Sequence, residues 1–145
     1  MRLSVSVKLA VVFALVVSLV WSGCSKKSPK RDQIPLLKGK IFALQEAVKE
    51  RNRAAIDSLL SVKIIDNGQS SDSLLSFVYG PDGGFGFERF GNCEILYTAN
   101  KARMECYVMD STSQEDRPVT FFMALEDDMW LFTSFQQGGG EKDSL

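Results

Sequence analysis

Hydrophobic positions along this chain fall into three patterns, and each predicts a different kind of element. Residues 9–17 are uninterruptedly apolar, and the run continues past Ser18 to Trp21, behind the basic Arg2 and Lys8. Residues 36–62 carry Leu37, Ile41, Leu44, Val48, Ala55, Leu59 and Val62 at helical spacing, with Lys38, Glu46, Lys49, Glu50 and Arg53 mostly off that stripe. An apolar stripe of this period predicts an amphipathic helix that buries one face. Pro35 suits its first turn, Arg51 interrupts the stripe, and Asn52 marks a bend or a split into two helices. From residue 92 the period shortens. Residues 92–98, 103–110, 118–126 and 129–136 are rich in aromatic, β-branched and Met side chains and predict four strands. Turns at Ala99-Asn100-Lys101 and Asp127-Asp128, and a longer polar loop at 111–117, join them as antiparallel hairpins, with Pro118 at a strand start.

The segment between is punctuated by turns. Ile64-Ile65 is a short apolar step, followed by the turn-rich Asp66-Asn67-Gly68-Gln69. Ser71 or Asp72 suits the cap of a second helix over 73–79, which Gly80 ends and Pro81 prevents from continuing. Asp82-Gly83-Gly84 makes a bend. Phe85, Phe87 and Phe90 then form either a short strand or an aromatic plug under the sheet. The pattern predicts an α+β domain over residues 35–137, with N-terminal helices packed on a curved antiparallel sheet of about four strands. Residues 138–145, rich in glycine and charge, read as a disordered tail.

The first apolar run falls short of the roughly 20 residues that span a bilayer. Its order of basic start, apolar core and small residues is that of a secretory signal peptide. Lys26, Lys27, Lys30 and Arg31 on its far side oppose the positive-inside bias of a retained anchor. Trp21-Ser22-Gly23-Cys24 resembles the lipobox of bacterial lipoproteins, with Trp21 where that family usually has an aliphatic residue. The resemblance implies a signal peptide at 1–23, a diacylglyceryl group on Cys24 and a lipidated tether at 24–34. The protein would then lie in the cell envelope, held to membrane lipid through acylated Cys24. Ser25 resembles the residue that permits transfer to an outer membrane, facing the periplasm.

Composition narrows the chemistry. Without the signal 122 residues remain, enough for one domain with a single core. Charge is uneven: residues 26–53 hold nine basic and three acidic side chains, and residues 54–145 six basic and 15 acidic. The basic part reads as a solvated linker and helix face, or as a surface resting on anionic headgroups. An exported, net acidic chain is a poor fit to nucleic acid. The chain has no histidine, which removes His-based triads and the commonest metal ligand. Cys93 and Cys106 alone make a poor zinc site, and in an oxidising compartment they suit a disulfide. If Thr98 pairs with Lys101, Cys93 faces Cys106 directly, at the cost of setting Glu94 against Glu105. A register displaced by two relieves that clash and leaves the cysteines diagonal. No metal or cofactor is expected; the glycine clusters match neither dinucleotide nor phosphate-loop patterns.

Helices followed by long antiparallel strands that end in Asp128-Met129-Trp130-Leu131-Phe132-Thr133-Ser134-Phe135 resemble the cone-shaped α+β superfamily named after nuclear transport factor two, also called SnoaL-like or cystatin-like. Residues 43–60 look like its first helical region. The resemblance implies an apolar concavity between sheet and helices, and Trp130 lying against the helices. Tyr79, Tyr97 and Tyr107 are candidates to face such a pocket, although buried tyrosines commonly belong to the core with a bonded hydroxyl. Asp127-Asp128 reads as a hydrophilic turn. Two functions follow: a non-catalytic envelope lipoprotein that binds a small ligand or an envelope protein partner, or a His-free pocket enzyme, a hydrolase or isomerase using carboxylates or Tyr. The missing histidine and the lack of an activated nucleophile favour the first.

Overall fold

The computed structural model describes residues 32–111 and 116–138. The export segment, Cys24 and most of the tether lie outside these residues, as do the centre of the 111–117 loop and the tail beyond Gly138. Among the described residues no helix is long and apolar enough to cross a membrane.

Helix α1, Ile34–Lys49, has Pro in its first turn and buries Leu37, Ile41, Leu44, Ala47 and Val48. It stops where Arg51 turns left-handed, with φ at 49°. Asn52 then accepts a hydrogen bond from the Ala55 amide at 3.1 Å and caps helix α2, Arg53–Asp57. The long sequence stripe is thus split at Asn52. The turn also resets the helical phase, so Ile56 is buried in place of Ala55, and Val62, expected inside, is 79% exposed. Helix α3, Lys63–Asp66, is a single turn that buries Ile64 and leaves Ile65 in solvent. Helix α4, Ser71–Tyr79, is capped by Ser70, one residue before the expected Ser71 or Asp72. The reason is reciprocal bonding: the Ser73 amide donates to the Ser70 hydroxyl, and the Ser70 amide donates to the Ser73 hydroxyl. Gly80 ends α4 at φ 78°; a Cβ there would meet the Phe85 ring at 2.7 Å.

Four strands follow: β1 Arg89–Tyr97, β2 Lys101–Met109, β3 Arg117–Glu126 and β4 Met129–Gln137. Each pairs antiparallel with its successor, giving the sheet order β1-β2-β3-β4, so the fold is α+β. The β3–β4 turn places Asp127 and Asp128 both at positive φ, the geometry whose twist matches a two-residue hairpin.

Two bulges keep the apolar face continuous. In β1, Gly91 faces Tyr107 while Glu94 faces Glu105, so Asn92 and Cys93 together oppose Cys106. Asn92 takes φ 51°, a conformation that Asn tolerates better than most residues. In β4, Phe122 faces Ser134 while Met123 faces Phe132, which leaves Thr133 as the extra residue. Side chains alternate faces along a strand, and an extra residue reverses the count. The inward face therefore runs from Phe135 to Phe132 and Trp130, and from Phe90 to Cys93 and Ile95. Against them stand Ala102, Met104, Cys106, Val119, Phe121 and Met123, all buried. All four helices lay buried residues into the same core.

Trp130 is 3% exposed, and its indole N–H donates to Gln33 Oε1 at 3.1 Å. The strand holding it is thereby joined to the start of α1. The burial expected of this residue is observed. Of Phe85, Phe87 and Phe90, the last two pack on the core with rings 4.9 Å apart, Phe90 within β1, while Phe85 is exposed.

Candidate functional site

Cys93 and Cys106 are bonded as a disulfide with their Cα atoms 4.1 Å apart. The direct register produces this pairing: Glu94 faces Glu105, Ile95 faces Met104 and Tyr97 faces Ala102. The cost of that register is met locally, because Arg103, two residues along the same strand, pairs with Glu105. The opposite cysteines hold a place where backbone groups do not bond across the pair, the closer of the two antiparallel spacings. With both sulfurs joined, neither cysteine offers a thiolate as nucleophile or metal ligand.

Of the other candidate side chains, Tyr79, Tyr97 and Glu126 are bonded, and Tyr107, Asp127 and Asp128 face solvent. The Tyr79 hydroxyl, buried, donates to the Val48 carbonyl at 2.9 Å. Tyr97, at the sheet rim, donates to Asp32 Oδ1 at 3.2 Å. Tyr107 is exposed on the outer face of the sheet. Asp127 and Asp128 are exposed turn residues. Glu126 accepts from Lys63 Nζ at 2.9 Å and from the Ser61 hydroxyl at 3.0 Å. The Lys63 bond, and then the Ser61 bond, hold its carboxyl below the ordinary glutamate value. A carboxylate held ionised in this way is a weak proton donor near neutral pH. Among the described residues no group of three or more His, Cys, Asp or Glu is placed to hold a metal.

The space between helices and sheet, where the superfamily resemblance implies a concavity, holds an aromatic series. Phe90 meets Phe121 edge-on at 5.1 Å, and Phe121 meets Phe132 at 5.5 Å. The larger hollows among the described residues lie elsewhere. One, about 390 Å³, sits between the α1–α2 turn and the end of α4, with Arg51, Arg53, Asp72, Leu75, Tyr79 and Gly80 in its wall. Arg51 places its guanidinium carbon 4.0 Å from the Tyr79 ring centroid, a cation–π contact, while Arg53 pairs with Asp72. The stacked Arg51 has no ion pair among the described residues, so its N–H donors remain open to the hollow. The second hollow, about 410 Å³, lies against β3, walled by Lys63, Asn67, Lys101, Phe122, Ala124 and Ser134.

The sequence showed Arg51 only as a break in an apolar stripe. Its place on Tyr79 depends on the end of α4 meeting the end of α1, where the Tyr79 hydroxyl donates to the Val48 carbonyl, which no local pattern encodes. Arg117 is a similar case: its guanidinium donates to the carbonyls of Phe77 and Val78 at 2.7 and 2.6 Å and so caps α4.

No family model matches the chain. No curated protein matches it.

Proposed function

We propose that this chain is an envelope lipoprotein, anchored through acylated Cys24, whose α+β domain binds a ligand or partner protein without catalysing a reaction. Supporting it is the state of the reactive side chains: the cysteines are joined, Tyr79 is bonded to backbone, and Glu126 is held ionised by Lys63. By contrast Arg51, stacked on Tyr79 and without an ion pair among the described residues, presents recognition chemistry at the wall of an open hollow. Kinship with the cone-shaped superfamily belongs to the same proposal. Helices preceding a sequential antiparallel sheet, with Trp130 buried in the closing strand, support it.

The test is a photo-crosslinking residue placed at Arg51, and separately at exposed Asp57 as control, in intact cells producing the full chain. One discrete adduct that depends on position 51 is expected. Equal labelling from both positions, or none from either, sinks the reading.

A further inference from the structure

The two edges of the sheet are treated differently. Along β4 the outward backbone groups from Phe132 to Phe135 are sealed by the chain that precedes α4. The Phe132 amide donates to the Leu59 carbonyl at 3.0 Å and its carbonyl accepts from the Ser61 amide at 2.8 Å. The Asn67 side chain donates to the Thr133 carbonyl at 3.1 Å. The Gln69 side chain imitates a neighbouring strand at Phe135, donating to its carbonyl at 2.6 Å and accepting from its amide at 3.0 Å.

Along β1 the sealing stops early. Gln45 Oε1 accepts from the Phe90 amide at 3.1 Å, and the bulge at Asn92 distorts the next step. Beyond it the Thr98 amide bonds to the Lys101 carbonyl. By alternation Leu96 and Glu94 therefore point their backbone groups at β2, while Cys93, Ile95 and Tyr97 point theirs outward. Those outward groups find no partner among the described residues. This half of the edge has no proline and only Glu94 as a charge, so beyond the bulge at its start it lacks the usual guards against strand pairing. Leu96 and Tyr97 are 43% and 39% exposed on its two faces.

We infer that the open half of β1 pairs antiparallel with β1 of a second copy of this chain, about a two-fold axis at Leu96. That register is self-complementary. Leu96 meets Leu96 of the second copy in a non-hydrogen-bonded, close pair. Ile95 meets Tyr97 on the other face, an aromatic and β-branched pair that favours strand association. Glu94 falls opposite Thr98, so no like charges meet. An axis at Glu94 would instead oppose two carboxylates and leave both leucines without a partner. The disulfide holds β1 to β2 beside this edge, so the outward groups keep their spacing whether or not a second strand is present.

The test uses the full chain produced in cells. Close pairs place Cα atoms about 4.5 Å apart, within the range a disulfide bridges. Leu96→Cys should give a reducible covalent dimer on a non-reducing gel, well above the unsubstituted chain. Glu94→Cys, roughly four residues out of register with its copy and therefore over about 10 Å away, should not. The unsubstituted chain, purified in detergent, should sediment as a dimer. Leu96→Glu should weaken that dimer at least about ten-fold, with the circular dichroism of the folded chain unchanged because the side chain is half exposed. A monomeric unsubstituted chain overturns the inference, even if Leu96→Cys crosslinks by collision. So do crosslinking through position 94 instead of 96, and a dimer that Leu96→Glu leaves intact, which would point to another surface.

Discussion

Trp130 and Glu126 sit four positions apart across one tight turn and contribute to the fold in opposite ways. Trp130 removes a large apolar surface from water and spends its single donor on Gln33. Trp130→Ala is expected to cost roughly 3–5 kcal/mol, as large core truncations do, measured by urea unfolding; a loss below about 1 kcal/mol would contradict the packing described. Gln33→Ala removes only the hydrogen-bond partner and should cost about 1 kcal/mol. Glu126 contributes through charge. Its folded value is lowered by Lys63 and Ser61, so its contribution is present above the unfolded glutamate value of about 4.3 and is lost as pH falls through the lower folded value. Stability measured from pH 5 downward should therefore fall less steeply in Lys63→Met than in the unsubstituted protein. An identical acid slope in the two would remove Lys63 as the cause. Trp130 was legible in the sequence because its strand, its neighbour Phe132 and the turn before it agree. The Lys63–Glu126–Ser61 contact was not, because it joins residues more than 60 apart through backbone geometry that no short window contains.

The elements were legible where one period runs unbroken, and misread where a single residue changes the phase. All four strands and the two tight turns, at 99–101 and 127–128, follow from alternation and turn chemistry. The bulges at Asn92 and Thr133 do not, because each looks like an ordinary polar position until the partner strand is known. Asn92 gives a direct check. Asn92→Ile forces a β-branched side chain into the left-handed region and should cost about 1–2 kcal/mol, whereas Asn92→Gly should be close to neutral. Equal losses would show that the side chain of Asn92, and not its backbone, holds the bulge. The cap of α4 behaves in the same way: Ser70→Ala should cost about 0.5–2 kcal/mol, and Ser71→Ala less. The disulfide spans 13 residues of sequence across a hairpin that already exists, so reduction should cost no more than the usual range of about 2–4 kcal/mol. Thiol counting on denatured, unreduced protein should find neither Cys93 nor Cys106 reactive.

For the whole molecule, the proposed anchor predicts that the mature chain partitions with membranes and carries the mass of acylated Cys24. A soluble species at the unmodified polypeptide mass, from cells expressing the native sequence, would remove it. The unequal edges predict a second difference. Gln69→Leu strips the strand-like amide from Phe135, leaving a buried backbone pair unsatisfied at about 1–3 kcal/mol. Light scattering should show faster aggregation than for Asn92→Ile at matched stability, since only Gln69→Leu opens an edge. The seal on β4 also sets an order of events. Every strand pairs with its successor through a short connection, but the seal joins groups 66 residues apart, and contacts of long sequence separation form late because the loop must be closed first. A newly made chain thus passes through an interval with three hairpins formed and β4 still bare. Pulse-labelled hydrogen exchange during refolding should protect the Met104 amide before that of Phe135, and the length of that lag sets how long a nascent chain depends on protection from its neighbours.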